Sequence, residues 1–165
     1  MWKQIVPVSL VFGAVLGLSN NAGAATASGS FQVTLTIQST CSVQSVADLA
    51  FGSQTAVAAN LDATTSIGVQ CTNATPYTIA LSAGGGTGAT VSSRLMTNLG
   101  GATAAYSIYR DSSRSQVWGV TTSVDTQGGT GNGSVQSYTA YGRVPPIANP
   151  SAGAYTDAVS VTVTY

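Results

Sequence analysis

Two cysteines, Cys41 and Cys71, are the residues of this sequence with the clearest chemistry. They follow a stretch typical of a secretory signal peptide, with Lys3, an uncharged apolar run over 5–18 and the small residues Ala22-Gly23-Ala24. Because export takes a chain into an oxidising compartment, we expect a disulfide between them. A reactive thiol or a metal ligand is disfavoured, since no His and no further Cys is present to lower a pKa or complete a coordination shell.

The apolar run near the N-terminus decides between a cleaved leader and a membrane anchor. It has about 14 residues, whereas a bilayer-spanning helix needs roughly 20. The sequence therefore predicts a signal peptide over 1–24, cleaved after Ala24, with Ala25-Thr26-Ala27 as an alternative site. The remaining chain has the length of one ordinary domain.

Catalytic side chains are scarce in this composition. There is no His or Glu, and the one Lys lies in the predicted leader, so a nucleophilic Ser or Thr could use only Asp as its base. The Asp residues stand mostly in turn-like contexts, where they bond the turn itself. The glycine run at 84–89 fits a dinucleotide-binding pattern, but no helix signal follows it, which favours a turn. The sequence thus predicts no enzyme, no cofactor, no metal site and no small-molecule substrate.

The charge balance excludes nucleic acid as a partner. Without Lys3 the chain has four Arg against five Asp, so no basic patch is available to follow a phosphate backbone. A surface built from Thr, Ser, Gln, Asn and Gly does little to repel copies of itself. These properties favour a protein that assembles.

A cluster of charged residues around Trp118 has two interpretations. Arg110, Asp111 and Arg114 precede this tryptophan within nine positions. One interpretation is a charged turn between two strands with Trp118 packed at the end of the domain, and the sequence favours it. The other is a contact with a neighbouring subunit, since Arg and Trp are enriched at interface hot spots.

Short β-type segments separated by turns must position these residues. They lie at 48–52, 65–71, 77–82, 104–110, 116–120, 134–144 and 157–165, with a flexible hairpin loop at 125–134 and a rigid connection at 145–153. No helical period occurs after the leader. The pattern predicts an all-β, antiparallel sandwich of one domain.

Both ends of the mature chain alternate between apolar and polar residues. Near the N-terminus the apolar face holds Phe31, Val33, Leu35 and Ile37; in the last segment it holds Val159, Val161, Val163 and Tyr165. A complete immunoglobulin-type sandwich has a further strand beside the last one. The residues alone leave open whether the partner of the N-terminal segment lies in the same molecule or in another one.

The sequence resembles the spore coat protein U domain family, which includes pilins of archaic (Csu-type) chaperone-usher pili. The matching pieces are Cys41, DLAFG at 48–52, VQCTNATPYTIAL at 69–81, YSIYRD at 106–111 with Arg114, VWG at 117–119, YGRVPP at 141–146 and AGAYTDAVSVTVTY at 152–165. The resemblance implies an incomplete immunoglobulin-like β-sandwich, residues 39–165, whose missing strand is donated. The donor segment would be 25–38, with Phe31, Val33, Leu35 and Ile37 in the donor positions, and Cys41 with Cys71 would form the family disulfide.

By the same resemblance, the protein is a structural pilus subunit that is secreted through the periplasm to the cell surface and supports adhesion and biofilm formation. Its implied partners are a periplasmic chaperone, an outer-membrane usher and further copies of itself, bound by strand exchange. The last strand, with Val159, Val161, Val163 and Tyr165, would form the acceptor groove and contact the chaperone. Two alternatives stay open: a spore or cell-coat protein of the same fold, and a carbohydrate- or surface-binding adhesin domain.

Overall fold

A computed structural model describes residues 23–165, which contain eight β-strands and no helix. The strands are β1 (Cys41–Val46), β2 (Leu61–Cys71), β3 (Pro76–Leu81), β4 (Arg94–Thr97), β5 (Thr103–Tyr109), β6 (Gln127–Thr130), β7 (Val135–Val144) and β8 (Val161–Thr164). The predicted signal peptide lies, except for its last two residues, outside the described residues. A search of residues 23–165 for a helix of sufficient length and apolarity to cross a membrane found none.

The chain divides after Leu35 into two units. In the first unit, residues 23–35 are described and contain no strand. The second unit, Thr36–Tyr165, contains all eight strands. The β-fold therefore belongs to the second unit.

Two antiparallel sheets make up this unit. The five-stranded sheet has the order β1-β2-β7-β5-β4, and the three-stranded sheet has the order β6-β3-β8. The longest ladder joins β2 to β7 from Leu61↔Val144 to Gln70↔Val135 without interruption. This arrangement is an incomplete immunoglobulin-like β-sandwich, in agreement with the sequence-based prediction.

The core fills the space between the two sheets. Alternate residues of β2, β3 and β5 point inward because successive side chains of a strand leave on opposite faces. Trp118 is 1% exposed, and its indole Nε1 donates to the Ile79 carbonyl at 2.9 Å. The other buried apolar residues of the same core cluster include Ile67, Val69, Tyr77, Leu81, Tyr106, Ile108, Ala140 and Val144.

Of the seven predicted strands four are present, 157–165 is present in part as β8, and two are wrong. β3, β5 and β7 agree with the predicted segments to within one residue at each end, and β2 contains the predicted segment 65–71 but begins earlier, at Leu61. No strand forms at 48–52, where Leu49 and Phe51 alternate inward but pack over Gly142, a position with no room for a Cβ beside them. The segment 116–120 makes only an isolated bridge, from Val117 to Tyr109.

Three observed strands lie outside the predicted ones. β1 and β4 were not predicted, and β6 lies inside the predicted loop 125–134. β6 contains two glycines, and one of them has a steric reason: the side chains of Tyr77 and Tyr138 occupy the space that a Cβ at Gly129 would need. A strand of this composition has the sequence signature of a loop.

Candidate functional site

The free edge of β8 is the first component of the site. Ser82 N–H donates to the Ser160 carbonyl at 3.0 Å, and the same register continues to Ala80↔Thr162 and Thr78↔Thr164. In an antiparallel ladder hydrogen-bonded pairs alternate with non-bonded pairs. The main-chain N–H and C=O groups of Val161 and Val163 therefore point away from β3. Within the described residues no strand lies on that side of β8.

An apolar groove runs along this edge, between β8 and the β1 side of the five-stranded sheet. β1 and β8 lie near each other but are not joined by a ladder. The cavity between the sheets has a volume of about 410 Å³. Its apolar lining includes Leu49, Ile67, Leu81, Ile108, Val159 and Val161. An open sheet edge and an apolar cavity thus lie next to each other.

A second cavity, of about 730 Å³, adjoins the first on the inner face of the five-stranded sheet. Both are lined by Leu49, Phe51, Met96 and Tyr155. The second also borders the non-strand segments 49–57 and 150–155. The apolar space consequently extends past the residues next to β8, to the segments 49–57 and 150–155.

Asp157 fixes the start of the segment that leads into β8. Its carboxylate accepts hydrogen bonds from the Tyr106 hydroxyl at 2.6 Å, the Gly85 N–H at 2.7 Å and the Ala158 N–H at 2.8 Å. The carboxylate fills the space beside Gly84, whose φ of 85° also favours glycine. Burial, and donation to the Asp157 carboxylate, raise the pKa of Tyr106, so the phenol keeps its proton.

Arg94 stabilises the same end of the sandwich from inside. Its side chain is fully buried and donates to the carbonyls of Ser82 at 2.8 Å, Val91 at 2.7 Å, Leu81 at 3.1 Å and Trp118 at 2.7 Å. Burial lowers the pKa of this guanidinium, while the nearby phenol and carboxylates oppose that effect. Arg94 therefore joins the end of β3 to the loop that contains Trp118.

The predicted disulfide is present, and it pins the edge strand β1. Cys41 and Cys71 are joined by an S–S bond of 2.03 Å at the first residue pair of the β1–β2 ladder. Next to this pair, Thr72 N–H donates to the Thr40 carbonyl at 2.9 Å. The bond thus closes one end of the β-strand that borders the groove.

The four apolar residues of the predicted donor segment are exposed. Residues 31–40 have no strand assignment. The exposed fractions are 88% for Phe31, 85% for Val33, 85% for Leu35 and 75% for Ile37. Large apolar side chains at this exposure mark a segment able to contribute apolar surface to another molecule.

The structure places the four residues predicted for the last strand differently. Val159 and Val161 line the groove, and Val163 is half-buried against the core. Tyr165 is 59% exposed and is not among the groove-lining residues. Only 161–164 of the predicted strand 157–165 forms a ladder, because Asp157 ties the preceding residues to a loop.

The cluster around Trp118 is a turn, and the tryptophan itself is buried in the core. Asp111 caps the turn by accepting from the backbone N–H groups of Ser115 at 3.1 Å and Gln116 at 2.7 Å. Hydrogen bonds, first from the Ser113 hydroxyl and then from these groups, lower the pKa of Asp111.

The two arginines of this cluster bind within the domain. Arg110 donates to the carbonyls of Thr126 at 2.7 Å and Val124 at 3.2 Å. Arg114, in the left-handed region at φ 56°, lies 3.2 Å from the Asp62 carboxylate and 5.8 Å above the ring centre of Tyr141. A subunit contact through Arg110, Asp111 or Arg114 stays a prediction.

Several groove residues were not singled out from the sequence. Asp157 and Tyr106 are 51 residues apart, so their hydrogen bond depends on the tertiary fold. Leu81 and Ile67 belong to strands that the β-type segments did predict, and pairing the inward faces of these strands could have identified both residues. Within 23–165 there is no group of three or more His, Cys, Asp or Glu that could hold a metal ion.

Comparison with known proteins gives one family and one fold. The family model described as Spore Coat Protein U domain matches residues 27–162. A search of curated proteins found no match. Among solved structures, the chain is similar to the CsuC–CsuE chaperone–tip adhesion subunit pre-assembly complex from archaic chaperone-usher Csu pili of Acinetobacter baumannii, with 24% identity and a TM-score of 0.58. The match covers 79% of this chain and 40% of that chain.

Proposed function

The chain belongs to the Spore Coat Protein U domain family, and from this membership and the open groove we propose that it is a structural subunit of a surface fibre assembled by strand exchange. In this proposal residues 1–24 are the leader, 25–38 are the donor segment and 39–165 are the acceptor domain. The observation that carries it is the free edge of β8 beside the apolar groove.

Strand addition satisfies both features of the groove at once. A strand laid beside β8 pairs with the main-chain groups of Val161 and Val163, and its alternate side chains enter the cavity next to Ile67 and Leu81. An edge strand and an apolar groove left open together would promote aggregation. The groove therefore needs an occupant with alternating apolar residues.

The donor segment of a second copy has that pattern. Its seven residues from Phe31 to Ile37 span roughly 20 Å when extended. Four apolar side chains, each contributing about 1.5 to 3 kcal/mol on burial, give roughly 6 to 12 kcal/mol before the entropy of association is subtracted. Donor and acceptor surfaces differ, so the contact is head-to-tail and generates an open fibre.

In this proposal export and assembly require a leader, a periplasmic chaperone and an outer-membrane usher. A leader directs the chain through the periplasm to the cell surface, and a periplasmic chaperone fills the groove before assembly. The similar solved structure is a chaperone–subunit complex, which supports a partner of this kind. An outer-membrane usher would then exchange the chaperone for the next subunit, and the finished fibre would support adhesion and biofilm formation. No substrate or cofactor enters this function.

Electron microscopy of cells that express single variants tests the proposal. Leu35→Asp places a carboxylate in the apolar groove and should abolish fibres, because burying an unpaired charge is costly. Thr34→Asp, on the opposite face of the same strand, is the matched control and should leave fibres intact. Fibres of normal length and number with Leu35→Asp would contradict the proposal.

A coat protein of the same fold is the second candidate, favoured by the description of the matching family. A coat protein would use the same groove but would form a layer instead of a fibre. In the same micrographs, a continuous surface layer lost with Leu35→Asp would favour this candidate.

A further inference from the structure

The position of the Cys41–Cys71 disulfide gives it a mechanical role. We propose that this bond passes tension from the donor segment directly to β2 and so protects the edge strand β1, a wall of the groove, from being peeled off when the fibre is pulled. The inference rests on the proposed function, because tension arises only if residues 31–37 are held by another subunit.

Tension on the donor segment would enter the sandwich at the start of β1. Before the strand Thr40 contacts Thr72: the Thr72 N–H donates to the Thr40 carbonyl at 2.9 Å, and the Thr40 N–H donates to the Thr72 hydroxyl at 3.2 Å. The next residue is Cys41, which is paired with Cys71 in the ladder and covalently bound to it. The disulfide therefore lies at the first ladder pair that a pulling force reaches.

β1 alone is poorly suited to resist that force. It has six residues, lies at the edge of the sheet, and its register is interrupted between Val43 and Ser45. Val43 and Val46 are 40% and 54% exposed, so little packing holds the strand down. An edge strand pulled from its end separates pair by pair, and regions with few buried contacts open at the lowest free energy.

β2 is the stronger element in the same sheet. It has 11 residues, lies between two neighbouring strands, and pairs with β7 at ten positions. With the disulfide intact, force passes from Cys41 to Cys71 and leaves residues 42–70 without tension. Val46 and Ala47, which line the groove, stay in place, so the subunit keeps its hold on the next donor strand.

Single-molecule stretching of the whole mature chain tests the inference. Handles are attached before residue 25 and after Tyr165, and a synthetic peptide of residues 30–38 fills the groove. The oxidised chain should unfold without a step at low force before the main unfolding step. After reduction with a phosphine, a new step at lower force should release residues 41–60, about 20 residues or roughly 70 Å of chain.

The force–extension trace also shows whether the disulfide was reduced. The two cysteines are 30 residues apart, so reduction adds roughly 105 Å to the total unfolded length at ~3.5 Å per residue. A Cys41→Ser, Cys71→Ser double variant should show the same early step. If that variant does not fold, reduction of the folded wild-type chain supplies the result.

A second pulling geometry is the control. With the first handle attached at Asn60 through an unnatural amino acid, β1 lies outside the path of the force, and reduction should leave the unfolding force unchanged. If reduction produces no early step in the first geometry, or lowers the force equally in both, the inference is overturned. Because this measurement uses one chain, absence of fibres in the micrographs would refute the proposed function separately.

Discussion

Supplying the donor strand from within the chain should produce a closed, soluble monomer. The change removes residues 25–38 and appends a short turn followed by SFQVTLTIQ after Tyr165. A tight turn returns the added strand antiparallel to β8, beside the free main-chain groups of Val161 and Val163. The tethered strand acts at an effective concentration on the order of millimolar, so it excludes a strand from another copy.

The contribution of the donor strand to stability is best measured by truncating one side chain, that of Leu35, in the closed monomer and in the natural unassembled chain. In the closed monomer, truncating the residue equivalent to Leu35 to Ala should cost about 2 to 5 kcal/mol, the usual cost for a buried Leu. For a domain of this size that lowers Tm by roughly 5 to 15 °C. In the natural unassembled chain Leu35 is 85% exposed, so Leu35→Ala should change the Tm hardly at all.

Thermal unfolding and size-exclusion chromatography of both chains provide the assay, with the Thr34→Ala equivalent as the control for the opposite face of the strand. That control should change stability by less than about 0.5 kcal/mol in either chain. The reasoning is refuted if Leu35→Ala destabilises the natural unassembled chain, or if the appended strand is cleaved by protease while the rest stays folded.

Three further predictions follow from single contacts. Arg94→Met should lower the free energy of unfolding by at least about 3 kcal/mol in chemical denaturation, because two buried and two partly buried carbonyls lose their donor. Replacing Cys41 and Cys71 by Ser should cost roughly 3 to 4 kcal/mol in the same assay. The hydrogen bond from Arg143 holds the pKa of Asp62 below the usual 3.8. The ion pair should therefore make a small, partly solvent-screened contribution to the stability of the fold above pH 3.8, and this contribution should be lost as the pH falls through the lower pKa of the folded state. NMR titration of Asp62 checks this.

Short β-type segments between turn signals were sufficient to predict the strands that carry the core. β2, β3, β5 and β7 each bury one face against the other sheet, so apolar and polar residues had to alternate in them. The same argument was wrong at 48–52, because Leu49 and Phe51 bury their side chains over Gly142 without any strand partner. Apolar residues at every second position indicate which face of an extended segment is buried, but they do not indicate whether the segment is hydrogen-bonded to a neighbouring strand.

The features that sequence reasoning missed depend on distant residues. Gly129 of β6 is required by the side chains of Tyr77 and Tyr138, which come from other strands. No sequence pattern identifies the role of Arg94, because its hydrogen-bond partners are main-chain carbonyls and not carboxylates. The apolar faces of 31–37 and of the last strand could be recognised because both consist of local alternation, and the donor role of 31–37 stays a prediction.

Amide hydrogen exchange at β8 measures the central claim most directly. Thr162 and Thr164 lie in the bonded register with β3 and should be protected in the unassembled chain, whereas the amides of Val161 and Val163 should exchange freely. Addition of the peptide of residues 30–38 should then protect Val161 and Val163, because the new strand accepts their hydrogen bonds. Protection of these two amides before the peptide is added, or no change after it, would contradict an edge that waits for a strand from another molecule.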